Sequence, residues 1–283
     1  MRLLLLTALT MVAFAANSLL NRLALIEGAI GPAEFAVVRV AAGAAMLALL
    51  VVLRERSVPA PARPDILAVA GLSVYMLGFS FAYVSMDAGL GALILFGGVQ
   101  VTMFLGALIK GERPPALRWL GMLVALAGLA LLTWPGEAAT APPVAMGLMS
   151  AAALGWGLYS LIGRRVTDPL ASTGWNFVYS VPVVLLALLV PTGASQVSTM
   201  NGLILAVLSG ALTSALGYAL WYALLPQLGA SVAALAQLSV PVIAIILGAL
   251  LLGEAVTVLT ASAAALILGG IALGLVPGAR RGP

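Results

Sequence analysis

Tyr75, Phe79 and Tyr83 recur at i, i+4 and i+8, so a helix would place all three rings on one face. Tyr218, Trp221 and Tyr222 are spaced i, i+3, i+4, and Trp156 and Tyr159 i, i+3. Uncharged amides lie in equally apolar surroundings: Asn17 with Asn21 four residues on, Gln100, and Gln237. An amide in hydrocarbon must find a partner, so each should face inward. Aromatic faces with a few amides can hold a small, mostly neutral solute that has an apolar part. The same residues could also serve only as packing, an interfacial belt or helix–helix bonds.

Catalysis finds no such support. The chain has no His and no Cys, which excludes imidazole and thiolate metal sites, cysteine nucleophiles, disulfides and Ser-His-Asp triads. Of nine acidic residues, only Glu34 falls inside an apolar run, in its first turn. Proton coupling needs a carboxylate within the bilayer, and an intramembrane aspartyl protease needs two. No catalytic residue, metal or cofactor is therefore expected, and the chain reads as a non-enzyme. Arg39 is the one cation well inside a run. Its expected role is structural, with anion binding as the alternative.

The elements that carry these residues follow from composition. With 63% hydrophobic and 8% charged residues over 283 positions, the chain lies outside the soluble globular range. Apolar runs predict ten transmembrane helices at about 3–22, 32–53, 65–86, 89–110, 116–134, 143–163, 173–190, 202–225, 229–252 and 257–276. The start, with Arg2, a Leu-rich run and Ala13-Phe14-Ala15, imitates a secretory signal, but it stays apolar to Leu20 and is read as the first span. An N-terminus inside places Arg2, Arg54, Arg56, Arg63, Lys110, Arg113, Arg118, Arg164, Arg165, Arg280 and Arg281 on the cytoplasmic side, against Arg22 alone opposite. Both termini are then cytoplasmic. The net charge of +4 sits at helix ends and implies a lipid partner, not nucleic acid.

The chain also repeats itself at a shift of 142 positions. LGALIKGE at 105–112 returns as LGALLLGE at 247–254, pairing Glu112 with Glu254. Ser18 and Arg22 meet Ser160 and Arg164, and Phe79 meets Trp221. LAGLAL at 126–131 meets LGGIAL at 268–273. Helices 1–5 thus echo helices 6–10, and an odd number of spans inverts the second copy. The halves are expected at 1–138 and 139–283. Inverted repeats place solute sites near the midplane between units, and matched interruptions point to them. Gly97-Gly98 in helix 4 and Pro241 in helix 9 are the matched interruptions and the expected hinge. Gly121-x3-Ala125 and Gly270-x3-Gly274 have the spacing of close helix contacts.

Ten spans in two inverted halves, the LGE/KGE endings and the LAGLAL/LGGIAL pair resemble the drug/metabolite transporter superfamily, EamA type, over nearly the whole chain. Within it the sequence is most similar to YddG-type bacterial amino-acid exporters. The resemblance implies a cavity lined largely by helices 3, 4, 8 and 9, alternating access and the inner membrane. Those helices hold Tyr75, Phe79, Tyr83, Gln100, Tyr218, Trp221, Tyr222 and Gln237; Asn17, Trp156 and Tyr159 are added from their chemistry. The expected solute is an amino acid, neutral or aromatic, or a related small metabolite. It would be exported by a facilitative or exchange mechanism. Multidrug efflux on the same fold and a non-transporting scaffold or lipid-handling bundle are the alternatives. The oligomeric state is not legible.

Overall fold

Each apolar run folds as a helix, since a lipid-facing backbone must close its own hydrogen bonds. The computed structural model describes residues 1–26, 28–56, 63–109, 111, 114–133, 141–163, 166–190 and 198–276. The first half holds α1 (Arg2–Ile26), α2 (Pro32–Glu55), α3 (Ile66–Ala82), α4 (Ala88–Ile109) and α5 (Ala116–Thr133). In the second come α6 (Pro143–Gly163), α7 (Pro169–Leu185) with a 3-10 turn (Leu186–Leu189), and α8 (Met200–Leu208). A π-helical segment (Ser209–Leu216) leads on to α9 (Gly217–Gln237), α10 (Ser239–Leu252) and α11 (Val258–Leu275). Six of these stretches are long and apolar enough to cross a membrane, and four shorter apolar helices complete ten spans. Side-chain caps start several of them: Asp65 accepts from the Ala68 N–H, Asp168 from Ala171, Thr199 from Gly202 and Thr257 from Thr260.

Three elements differ from expectation. α7 begins at Pro169, four residues before position 173, because the Asp168 cap and a proline in the first turn start it early. The break expected at 226–228 is helical, and the chain breaks instead at Leu238. Pro241 explains that place, having no N–H to give the Gln237 carbonyl four residues back. Ser239 Oγ bonds the nearby Ala236 carbonyl at 2.7 Å. In the first half, by contrast, α4 runs unbroken through Gly97 and Gly98. A Cβ on Gly98 would lie 2.7 Å from that of Ala153, and one on Gly97 3.1 Å from Leu129. Close approach, not a break, uses these glycines.

Small residues also join the halves. α3 meets α6 where a Cβ on Gly155 would lie 2.5 Å from the Gly71 carbonyl oxygen. α5 meets α11 at the predicted contacts, with Gly270 against the Gly121 carbonyl and the Ala125 N–H.

At the face where α1 and α10 end and α4 begins, charge ties the halves. Glu254 accepts from the N–H groups of Ala88 at 2.7 Å and Gly89 at 3.4 Å, capping α4. Arg22 lies 3.7 Å from Glu254 and 3.4 Å from Asp87, and donates to the carbonyls of Tyr83 and Val84. At the other face, Arg54 holds Asp168 through both carboxylate oxygens. Lys110, Glu112, Arg113, Arg164, Arg165, Arg280 and Arg281, which entered the repeat and topology readings, lie outside the described residues.

Gly155→Val should push α3 from α6 and cost about 1–3 kcal/mol, read as a lower unfolding midpoint in detergent. The Arg54 guanidinium holds the Asp168 carboxyl below its usual range. This contact should therefore stabilise fully above about pH 4 and fade as pH falls through the lower folded value. The stability gap between wild type and Arg54→Gln should close in the same window.

Candidate functional site

A cavity of about 360 Å³, its open side included, lies between the halves. Phe14, Asn17 and Ser18 of α1, Tyr75 and Phe79 of α3, and Leu95 and Phe96 of α4 form one side. Trp156 of α6, Thr213 of the π segment and Tyr218 of α9 form the other. The rings touch: Tyr75 and Trp156 are 5.0 Å apart, Trp156 and Tyr218 4.8 Å, and Tyr75 and Phe79 5.3 Å. In this conformation the site is therefore narrow, its own aromatics filling much of it. The ninth span contributes none of these lining residues, whereas the first and sixth do.

The polar floor is built by α1 and the π segment. A π turn places residues four and five apart on one side, so Ser209, Thr213 and Ser214 can aim together. Asn17 Oδ1 accepts from Ser209 Oγ at 2.7 Å and Thr213 Oγ1 at 2.9 Å. Asn21 bonds Ser209 at 3.2 Å, and Ser80 donates to Asn21 at 3.4 Å. Gly210 lets the π segment lie on α2: a Cβ there would sit 2.9 Å from the Arg39 carbonyl carbon. With this network Asn17 has its partners, and its Nδ2 reaches Tyr75 Oη at 3.5 Å.

Tyr75 Oη is the junction. Tyr218 donates to it at 3.3 Å and Arg39 Nη2 at 2.9 Å. Arg39 is fully buried, with Nε donating to Ser214 Oγ at 3.3 Å and Nη1 without a hydrogen-bond partner. Its guanidinium lies 4.9 Å from the Phe79 ring centre and 5.2 Å from that of Tyr75. Glu34, the nearest acid in sequence, bonds Ser198 instead. Among the described residues Arg39 enters no ion pair. Burying an uncompensated cation costs several kcal/mol, and a desolvated cation–π contact returns about 2.

A second cavity of about 390 Å³ lies toward the Asp168 face, bounded by Asp65, Tyr159, Gly163, Pro169, Thr173, Asn176 and Tyr222 among others. Tyr159 stacks on Trp156 at 5.6 Å, so these two rings separate it from the central cavity. Asn176 bonds Tyr159 Oη at 3.4 Å.

Of the residues expected from sequence, Asn17, Tyr75, Phe79, Trp156 and Tyr218 thus meet in one cavity, and Tyr159 and Tyr222 in the next. Tyr83 is packed out of both, donating to the Ala88 carbonyl with its ring against Phe79. Trp221 is buried edge-on against Phe14. Gln100 and Gln237 are half-buried and line neither cavity. Gly97, Gly98 and Pro241 lie outside both lining sets. Sequence reasoning missed Phe14, Ser18, Leu95, Phe96 and the three π-segment hydroxyls. Ser209, Thr213 and Ser214 stand out as polar in an apolar run, but their convergence needs a π turn that composition does not announce.

Known proteins resemble this chain over most of its length. Residues 1–134 and 144–276 each match the model of the EamA-like transporter family. An uncharacterized protein of Pseudomonas aeruginosa is 50% identical over 277 residues, covering 98% of this chain and 95% of that protein. A probable amino-acid metabolite efflux pump of Salmonella typhimurium is 27% identical over 221 residues, 71% of this chain and 73% of the pump. A solved crystal structure superposes with a TM-score of 0.66 at 19% identity, covering 96% of each chain, and shares the fold.

Asn17→Ala should leave the Ser209 hydroxyl without its acceptor, and the Thr213 hydroxyl with the Ser209 carbonyl alone, and cost about 1–3 kcal/mol. Thermal unfolding of the purified protein measures this, and Gln100→Ala should stay nearer the wild-type midpoint.

Proposed function

Since this chain belongs to the EamA-like transporter family, we propose that it exports amino acids, neutral or aromatic, or closely related small metabolites across the bacterial inner membrane. The observation that carries this reading is the aromatic cavity between the halves, with Asn17, Tyr75 and Tyr218 giving it polar points. Apolar side groups fit the rings, and the amide and hydroxyls suit a polar head. The Salmonella relative, named as a probable amino-acid metabolite efflux pump, supports the solute class.

The halves, 1–138 and 139–283, rock about the site and open it to each face in turn. The Arg22–Glu254–α4 contacts close one face, and the Tyr159–Tyr222 cavity, behind the Trp156–Tyr159 pair, marks the route toward the other. The basic residues orient the termini, and with them the Arg54–Asp168 face, to the cytoplasm. Among the described residues no acidic one lines the central cavity, which suits facilitated movement or exchange over obligatory proton antiport.

Counterflow of radiolabelled amino acids in proteoliposomes should show saturable exchange that persists when the proton gradient is collapsed. Trp156→Ala should cut it about tenfold or more while the protein still elutes as wild type. Flux strictly dependent on the gradient would rule out the uncoupled mechanism.

A further inference from the structure

Among the described residues two arginines, Arg22 and Arg39, are buried, and they are treated differently. Arg22 has Asp87, Glu254 and two backbone carbonyls around it. Arg39 is buried more completely, yet its partners are two neutral hydroxyls and two aromatic rings. Its Nη1 has no hydrogen-bond partner, and the acid one turn and a residue before it, Glu34, is engaged by Ser198. A charge kept in hydrocarbon without a counter-ion marks a functional position.

We infer that Arg39 is the anchor for a carboxylate on the transported solute, the missing counter-charge being brought by the cargo. The inference rests on the export reading and sharpens it to anions and zwitterions.

Geometry connects the arginine to the cavity. Tyr75 lines the central cavity, and its phenol oxygen is the atom to which Arg39 Nη2 now donates. Donors from three directions meet there: the guanidinium, the Asn17 amide at 3.5 Å and the Tyr218 hydroxyl at 3.3 Å. Such a cluster suits an acceptor with several lone pairs and a negative charge, and a phenol oxygen is a weak substitute for it. A carboxylate arriving from the cavity displaces the Tyr75 oxygen, pairs with the guanidinium and can take up the unused Nη1 donor. The solute's apolar part stays among Phe79, Trp156 and Tyr218. The same charge repels a cationic amine without a carboxylate, so the site discriminates against cationic drugs.

The test uses purified full-length protein and three probes that share a phenyl ring: phenylalanine, 3-phenylpropionate with only the carboxylate, and phenethylamine with only the amine. In wild-type proteoliposomes, 3-phenylpropionate should inhibit phenylalanine counterflow, and phenethylamine should need about tenfold more or greater. In detergent, 3-phenylpropionate should raise the unfolding midpoint of wild type, less that of Arg39→Lys, and not that of Arg39→Gln. Equal inhibition by the amine would overturn the anchor while leaving amino-acid export standing. An Arg39-dependent midpoint shift without phenylalanine counterflow would uphold the anchor and remove the export reading. An equal shift from chloride at matched ionic strength would overturn the carboxylate assignment in favour of an inorganic anion. If Arg39→Gln does not fold, the wild-type comparison of acid and amine decides alone.

Discussion

Inside a bilayer a polar group finds its partners within the protein or goes without them, and this constraint organises the bundle. Asn17 and Asn21 are tolerable in α1 because the π segment brings Ser209 and Thr213 to them. The widened turn fits here because Gly210 lets it lie against α2 at Arg39. Remove the π turn, and the amides, the hydroxyls and the arginine would each have to be satisfied elsewhere. The polar floor and the arginine beside it are thus one structure, shared between the two halves.

The two faces obey the same constraint through charge. Arg22, Asp87 and Glu254 satisfy the start of α4 at one face, while Arg54 and Asp168 join α2 to α7 at the other. Between them the halves touch through backbone-close glycine contacts, Gly71 with Gly155 and Gly121 with Gly270. Small residues at these seams let the helix backbones approach closely. The aromatic rings meet in the remaining gap.

Much of this was legible from residue order. Ten spans followed from run length, and the 142-residue shift gave the two halves. Glu254, scarce in type and singled out by the repeat, caps the start of α4. The aromatic spacings placed Tyr75 and Phe79 together because α3 is a regular helix. Periodicity stopped at backbone irregularity: it could not announce a π turn, and it put the break near Pro226 when Pro241 decided it. Nor could it rank aromatics. Tyr83 and Trp221 share the spacing of their neighbours but face Gly91 and Phe14 instead of the cavity. Arg39 was visible as an anomaly, yet its lack of an acid partner depends on where Glu34 turns, which is a three-dimensional fact.

The central claim is a cavity between inverted halves that opens to one face at a time, and the absence of native cysteine makes it directly measurable. A single cysteine at Leu95, on the cavity wall, can be labelled with an impermeant thiol reagent from either side of an oriented membrane. The account predicts labelling from the Arg54–Asp168 face in the resting protein, and a shift toward the other face when Glu254→Gln weakens the contacts there. Labelling from neither face, or from the same face alone under both conditions, would contradict it.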